Sequence, residues 1–317
     1  MTTHHSNRSF RTGIGGFTLV EVLVVITIIA ILAGLITVAA GSAFKRTREF
    51  AIQQEMSQME AALERFNTDF GFYPPSFKSM TPDRMLTFLS RIAPQNAEAA
   101  EHPDGGGRRV DVWWDQVGMQ IADTPGADLV FWLSGMSKNK QFPLTQPTSG
   151  QPLAAHNFNA NDNQFERQDY FEFEESRIFL ETPNDPAAPY SQSDRMVIPF
   201  LYLDANSYLP TNPASTDPTD PEAIDGAYVF AGTSPQDVQD AQNDPAVFRR
   251  IYPNPDSFQL ISFGIDGIPF GAVDGSENPP IPNAISQGSV GARGADNLVN
   301  FGGEGITKLE TVVLNSQ

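Results

Sequence analysis

A single carboxylate interrupts the longest apolar run of the chain. The run extends over residues 17–44, and Glu21 is its only charged residue. A charged side chain in hydrocarbon costs free energy and by default indicates a functional role. If the chain is cut between Gly16 and Phe17, the new α-amino group lies four residues from Glu21, about 6 Å along a helix. The acid and the terminal amine of a neighbouring subunit would then neutralise each other inside a bundle of helices, which favours ordered assembly.

The apolar run is long enough to cross a membrane as one helix. It holds 28 residues, whereas about 20 residues, rising about 1.5 Å each, span a hydrocarbon core of about 30 Å. Two simpler interpretations stay open: a secretory signal cleaved after Ala40 or Ala43, and an uncleaved signal anchor. The orientation is not fixed by charge, because cations flank the run on both sides: Arg8, Arg11, Lys45, Arg46 and Arg48.

The segment GIGGFTLVEVLVVITIIAILAGL resembles the N-terminal signal of type IV pilins and of the pseudopilins of type II secretion. The resemblance implies a leader at residues 1–16, removed after Gly16 by a prepilin peptidase that also N-methylates Phe17. It also implies that Glu21, the fifth residue of the mature chain, pairs with the Phe17 amine of a neighbouring subunit in a filament. The chain departs from the pattern in one respect. Many pilins carry a proline near the middle of this helix, and none occurs here between Phe17 and Tyr73.

An amphipathic segment at residues 45–70 continues the helix. Apolar residues recur there at spacings of four and three, which is typical of one face of a helix: Ile52, Met56, Met59, Leu63, Phe66 and Phe70. Gly71 and the pair Pro74-Pro75 predict the end of the helix. We therefore expect one helix from about Phe17 to about Phe70, with its second half docked on a soluble domain; a coiled-coil partner helix is the alternative.

The remaining residues, 71–317, predict a soluble domain of short elements and many turns. TPDRMLTFLSRIAP predicts a short helix with Thr81 as its N-cap and Pro82 at its first position. RRVDVWWDQVG suits a strand and ADLVFWLSGM a short helix. Four further segments predict strands: DYFEFEESRIFLE, RMVIPFLYLD, GAYVFAG and SFQLISFG. The polar, proline-rich stretches 137–164 and 210–226 predict loops outside the core.

Acidic residues near the C-terminus predict a calcium site by resemblance. DSFQLISFGIDGIPFGAV and GARGADNLVNFG resemble the calcium-binding loop of the major pseudopilin of type II secretion. The resemblance assigns ligand roles to Asp266 and Asp296, with Asp274 and Glu277 as further candidates, and calcium takes about six to eight oxygen ligands. The intervening loop has 29 residues, whereas the family loop is compact, and ordinary Asp-Gly turns are the alternative. Asp204 in FLYLDANSYLP is assigned to turn formation.

Composition and charge exclude several classes of function. The net charge of −18 argues against a nucleic-acid groove, because phosphate binding depends on clustered lysines and arginines. Cysteine is absent, which excludes disulfides and thiolate metal sites. Outside the leader the histidines are His102 and His156, both in polar segments, which leaves little material for a zinc site or a Ser-His-Asp triad. The sequence contains neither a Gly-x-Ser-x-Gly motif nor a P-loop.

Together these patterns predict an α+β, pilin-like protein, with a long N-terminal helix packed on a domain that has a small antiparallel sheet and long loops. We expect a structural subunit of a type II secretion pseudopilus and not an enzyme. Its expected partners are a prepilin peptidase, copies of itself, minor pseudopilins and the inner-membrane assembly machinery. We expect a single-pass inner-membrane protein with its C-terminal domain in the periplasm, which then enters the pseudopilus. The alternatives are a minor or tip pseudopilin, a type IV pilin subunit, and a membrane-anchored or secreted enzyme or binding protein.

Overall fold

A computed structural model of the chain describes residues 18–77, 80–153, 169–179, 187–193, 198–207, 240–241, 243–264, 298–300 and 306–308. By internal contacts the chain divides into two units, Met1–Arg48 and Glu49–Gln317. In the described residues, the first unit is the N-terminal part of one long helix. The second unit contains the rest of that helix, several short helices and a small antiparallel sheet, so the fold is α+β, as the sequence predicts.

The long helix, α1, spans Leu19–Phe70. It ends where Gly71 adopts a φ of +81°, a left-handed conformation that favours glycine, and the Gly71 N–H donates to the carbonyl of Asn67 at 2.7 Å. The predicted end at Phe70 is therefore confirmed. The next helix, α2, spans Pro82–Ile92, and its N-cap Thr81 accepts from the N–H of Arg84, also as predicted.

The segment RRVDVWWDQVG is helical, so the prediction of a strand there was wrong. Helix α3 (Arg109–Trp113) passes through a π-helical turn (Trp114–Gly118) into α4 (Met119–Asp123). The buried residues recur at spacings of three and four: Val110, Trp113, Val117 and Ile121. That helical period outweighs the strand preference of the valines and tryptophans.

Two further short helices complete the helical part of the described chain. Helix α5 spans Ala127–Val130 and continues as a π-helical turn over Phe131–Gly135, which confirms the short helix predicted in ADLVFWLSGM. Helix α6 spans Pro245–Ile251, and the side chain of Asp244 caps it by accepting from the N–H of Ala246 at 2.8 Å.

Four short strands form one antiparallel sheet in the order β1-β2-β3-β4. They span Leu201–Asp204 (β1), Phe258–Ser262 (β2), Leu298–Val299 (β3) and Thr307–Lys308 (β4). Leu201 pairs with Ile261, Ile261 with Val299, and Val299 with Thr307. The strands predicted in RMVIPFLYLD and SFQLISFG are confirmed at β1 and β2. The strand predicted in GAYVFAG lies outside the described residues, as does the loop 210–226.

A strand is absent from DYFEFEESRIFLE over its described residues, 169–179. The segment contains a 3₁₀ turn at Glu175–Arg177 and a single bridge between Ile178 and Tyr190. Tyr170, Phe171 and Phe173 are all buried, although Tyr170 and Phe171 are consecutive and would point to opposite faces of a strand. The aromatic rings pack in the core, and no ladder of backbone hydrogen bonds forms.

The described part of the predicted loop 137–164, residues 137–153, contributes to the core, contrary to the expectation that it lies outside. Leu144 and Leu153 are buried, and the indole N–H of Trp113 donates to the carbonyl of Leu153 at 3.0 Å. The carboxylate of Glu98 accepts from the backbone N–H groups of Leu144 and Thr145 at 2.9 and 3.0 Å. Long-range hydrogen bonds of this kind satisfy the polar backbone of a segment that local composition marks as a surface loop.

His102 is also buried, not in an exposed polar loop. Its Nε2 lies 3.1 Å from the carbonyl oxygen of Gly150, and the N–H of Asp104 donates to its Nδ1 at 3.2 Å. Both ring nitrogens therefore have partners in the fold. This histidine ties the segment around residue 102 to the one around residue 150, which is a structural role.

The core of the second unit packs on the C-terminal half of α1. The predicted stripe is buried from Ile52 to Phe66, and Phe70 packs against the core in a half-exposed position. Around Phe66 lies a cluster of aromatic rings with centroids as close as 4.8 Å: Phe77, Phe88, Trp113, Phe131 and Trp132. The amphipathic half of α1 thus packs on the rest of the second unit, as predicted.

Candidate functional site

The start of α1 places Glu21 in the first helical turn. The hydroxyl oxygen of Thr18 accepts from the N–H of Glu21 at 3.2 Å, and the carbonyl of Thr18 accepts from the N–H of Val22 at 3.2 Å. Thr18 is therefore the N-cap of the helix, and Glu21 is its third residue. An acidic side chain at this position is favoured by the positive end of the helix dipole.

The following five turns expose apolar side chains on every side of the helix. Within the described residues, Leu19–Thr37 is the segment long and apolar enough to cross a membrane, and none of it is buried in the fold. The exposed fractions of its large aliphatic side chains run from 49 % at Val22 to 81 % at Leu19. A helix that is apolar all round is expected in a membrane or among other helices, not in water.

The two threonines within this segment satisfy their hydroxyl groups locally. The Thr27 hydroxyl donates to the carbonyl of Leu23 at 2.8 Å, and the Thr37 hydroxyl donates to the carbonyl of Ala33 at 2.8 Å. An unsatisfied hydroxyl in hydrocarbon is costly, and this back-bonding removes most of that cost. Glu21 is therefore the one ionisable group in an otherwise apolar surface from Leu19 to Thr37.

Three cations follow the apolar segment on the same helix: Lys45, Arg46 and Arg48. All three side chains are exposed, and so is Phe44, at 75 %. The boundary between apolar and charged surface is therefore abrupt.

The two other residues of the predicted processing site, Gly16 and Phe17, lie outside the described residues. The expected pair between Glu21 and the amine of Phe17 therefore stays a prediction. The predicted calcium ligands, Asp266, Asp274, Glu277 and Asp296, also lie outside the described residues. Within the part of the chain that the structure describes, no group of three or more histidine, aspartate or glutamate side chains is placed to hold a metal ion.

A largely buried ion pair, each side chain 16 % exposed, fixes α1 to a distant segment of the second unit. The guanidinium of Arg177 donates to both carboxylate oxygens of Glu55 at 2.7 Å, and the Tyr190 hydroxyl donates to the same carboxylate at 2.6 Å. The Arg177 guanidinium also lies over the Tyr190 ring, 4.5 Å from its centroid. Burial and the neighbouring Glu55 carboxylate raise the pKa of the Tyr190 hydroxyl, so it stays protonated and keeps donating. Local sequence patterns missed this network, because its members lie far apart in the chain.

A second buried polar group joins Ser76 to two carboxylates. The Ser76 N–H donates to Asp204 at 2.8 Å, and the Ser76 hydroxyl lies 3.4 Å from Asp128. Asp204 also accepts from the N–H of Asn206 at 3.1 Å, so its predicted role in a turn is confirmed. Burial raises the pKa of Asp128 to about 7, and the nearby Asp204 charge adds to the rise, while hydrogen bonds from Leu129 and Ser76 oppose it. Sequence analysis did not single out Asp128.

Thr18 is the residue of the helix start that sequence analysis missed. The available signal was the pattern Thr18-x-x-Glu21, in which a threonine is followed three residues later by a glutamate, directly before an apolar run. This pattern marks the helix start at Thr18 independently of any processing signal.

Comparison with known families gives one match, and it covers the site. A family model described as the prokaryotic N-terminal methylation motif matches residues 11–37. No curated protein and no solved structure matches the chain significantly. The matched segment contains Gly16, Phe17, Glu21 and the exposed apolar part of α1. The chain thus carries, at the exposed start of a long helix, the N-terminal methylation motif that is typical of type IV prepilin-like proteins.

Proposed function

We propose that the chain is a structural subunit of a type II secretion pseudopilus, cut between Gly16 and Phe17 and assembled through its N-terminal helix. One observation carries the proposal. The methylation motif of residues 11–37 coincides with a capped helix start, an acidic first turn and an apolar surface that the fold leaves uncovered. Such a surface needs lipid before assembly and other helices afterwards.

The processing step gives Glu21 its expected role. Cleavage after Gly16 creates an α-amino group on Phe17, and methylation leaves that amine basic. Among packed helices the amine of one subunit neutralises Glu21 of another, and the pairing is favourable only in the correct axial register. The leader of the unprocessed chain blocks the amine, so assembly follows cleavage.

The expected partners and location follow from the proposed role as a processed pseudopilus subunit. A prepilin peptidase processes the chain in the inner membrane, and the inner-membrane assembly machinery adds it to a filament with copies of itself and minor pseudopilins. The unit Glu49–Gln317 faces the periplasm. The work of the filament is mechanical, since growth pushes secreted proteins outward with energy from a separate motor.

A minor or tip subunit is the second candidate, and the length of the chain favours it. With 317 residues the chain is longer than a minimal major pseudopilin, and its stretches 210–226 and 271–295 are additional to the predicted elements. The copy number of the subunit in isolated filaments separates the candidates, because a major subunit forms most of the mass and a tip subunit is present in a few copies. A type IV pilin subunit is the third candidate, and would be found in surface pili.

Intact-mass analysis of the chain purified from membranes tests the proposal. The expected mature chain begins at N-methylated Phe17. A chain that begins at Gly41 or Phe44 would show a cleaved secretory signal and would refute the filament proposal, and an uncut chain would show a plain anchor. The same measurement separates a filament subunit from a secreted enzyme or binding protein, because the secreted protein would lack the apolar helix.

A further inference from the structure

We propose that Phe44, Lys45, Arg46 and Arg48 form a collar on α1 that binds anionic lipid headgroups at the C-terminal end of the membrane span. We call these four residues the lipid collar. The proposal rests on the single membrane span of the proposed function and is independent of processing and of filament assembly. It concerns the membrane-embedded chain, in which the apolar segment is surrounded by lipid.

The collar surrounds more than one face of the helix. At about 100° per residue, the four side chains project over an arc of about 200°. All four are exposed, with Phe44 at 75 %, and among the described residues none of the three cations forms an ion pair. A broad arc of exposed cations fits a surrounding layer of headgroups better than it fits one flat protein face.

The length of the helix sets the collar at the correct depth. Glu21 and Lys45 are 24 residues apart, which corresponds to about 36 Å along a helix. The hydrocarbon core is about 30 Å thick, and the bilayer with its headgroups about 40–45 Å. Glu21 and the collar therefore reach the headgroup layers on opposite sides at the same time. The carboxylate of an unassembled subunit then lies at the edge of the hydrocarbon, where its charge costs less than at the centre.

The residue types match an anionic interface. Lysine and arginine place their alkyl stems along apolar surface while their charged ends reach the phosphates, and phenylalanine is among the residues that amphipathic helices bury at the boundary between headgroups and acyl chains. Residues 1–48 carry five cations and one acid, a net charge of 5 − 1 = +4, whereas residues 49–317 carry 15 cations and 37 acids, 15 − 37 = −22. An anionic membrane surface attracts the first set and repels the second. The collar is the cationic surface adjoining the apolar span at its C-terminal end.

A single fluorescent probe in the collar tests the proposal. The chain has no cysteine, so Thr47→Cys in the full chain gives one labelling site for an environment-sensitive dye between Arg46 and Arg48. The labelled chain is reconstituted in vesicles of phosphatidylcholine, with or without phosphatidylglycerol, and quenched by headgroup-labelled lipid of each type. We expect phosphatidylglycerol to quench several-fold more than phosphatidylcholine at low salt, and high salt to bring the quenching ratio to about one.

Matched charge variants separate the collar from net charge. In the Thr47→Cys background, K45Q/R46Q should abolish the preference for phosphatidylglycerol, whereas K138Q/K140Q removes the same charge from exposed lysines of the second unit and should retain it. Equal quenching by both lipids in the unmodified chain, or equal loss in the two double variants, would overturn the proposal. A water-like emission in every vesicle would do the same, because the collar would then lie outside the headgroup layer.

Two further readouts keep this result distinct from the other proposals. Alkaline carbonate extraction reports whether the chain is embedded at all: an extracted chain refutes the membrane span itself, whereas an embedded chain without lipid preference refutes only the collar. Cross-linking in detergent without anionic lipid tests whether the collar binds a second copy of the chain instead of lipid. Cross-links that depend on Lys45 and Arg46 there would assign the collar to a protein interface and overturn the lipid proposal.

Discussion

Arg177 binds both carboxylate oxygens of Glu55 at 2.7 Å, although 122 residues separate the two in the sequence. Each side chain is 16 % exposed, so the pair is largely removed from water. The Tyr190 hydroxyl completes the set of donors to Glu55. This contact fastens the segment around Arg177 and Tyr190 to the amphipathic half of α1, where the predicted strand pairing does not form.

We expect Glu55→Ala to lower the free energy of unfolding of the full chain in detergent by about 3 kcal/mol, because the largely buried Arg177 loses its main partner. Asp256→Ala breaks the exposed pair with Arg249 and should cost less than about 1 kcal/mol. Denaturant unfolding measures both values. Equal losses of unfolding free energy in the two variants would show that the Glu55–Arg177 pair contributes no more to stability than the exposed pair does.

Asp128 makes stability depend on pH. Its pKa in the folded chain is about 7, raised from 3.8, so the folded state binds this proton more tightly than the unfolded state does. The associated stabilisation is complete below about pH 4 and is lost as the pH rises through about 7. Asp128→Asn cannot ionise and keeps a similar shape. As the pH rises from 4 to 8, the free energy of unfolding of the wild type should therefore fall by about 1–4 kcal/mol relative to that of Asp128→Asn.

The exposed Asp115 provides the control for this measurement. Asp115→Asn should follow the wild type across the same pH range. A constant difference between Asp128→Asn and the wild type would mean that folding does not raise the pKa of Asp128.

Glu21→Leu separates membrane insertion from assembly. The substitution removes the charge from the first turn of α1, so insertion should be unchanged or improved, whereas filament formation should fall by about tenfold or more because the Phe17 amine loses its partner. Carbonate extraction measures insertion, and sedimentation of sheared filaments measures assembly. Val24→Leu, an apolar exchange one turn further along, should change neither. Filaments of Glu21→Leu at wild-type yield would contradict the assigned role of Glu21.

Calcium is expected to stabilise the C-terminal part of the chain. If Asp266 and Asp296 are ligands, adding calcium should raise the melting temperature of the full chain, and a chelator should reverse the rise. Asp266→Ala and Asp296→Ala should each remove most of this response, whereas Asp256→Ala, just before β2, should retain it. An unchanged melting temperature on calcium addition would refute the metal site.

The sequence predicts features whose cause is local. The stripe from Ile52 to Phe66, the end of α1 before Gly71 and the cap at Thr81 each depend on residues within two helical turns, so pattern alone identifies them. The apolar segment and Glu21 are equally local, and for that reason the N-terminal site could be read before the fold was known.

Features that depend on distant partners could not be predicted in this way. The sequence around Arg177 suits a strand, but the aromatic rings of Phe171 and Phe173 pack in the core and Arg177 pairs with Glu55 across the chain. The loop at Leu144 reads as solvent-exposed because its partner, the carboxylate of Glu98, lies 46 residues earlier. In RRVDVWWDQVG the error was different: the helical period is present, and residue preferences for strands were given more weight.

The back-bonded hydroxyls of Thr27 and Thr37 have a mechanical consequence. Both hydroxyl protons are used within the helix. The helix segment from Val22 to Thr37 therefore offers neighbouring helices no side-chain hydrogen-bond donor that would favour one axial position over another. The polar group that can distinguish one axial offset from another then lies at the start of the helix, where Glu21 is the single ionisable side chain of Leu19–Thr37. In a filament of these subunits, the offset between neighbours would therefore be set by the shape of the packed aliphatic side chains and by the partner of Glu21.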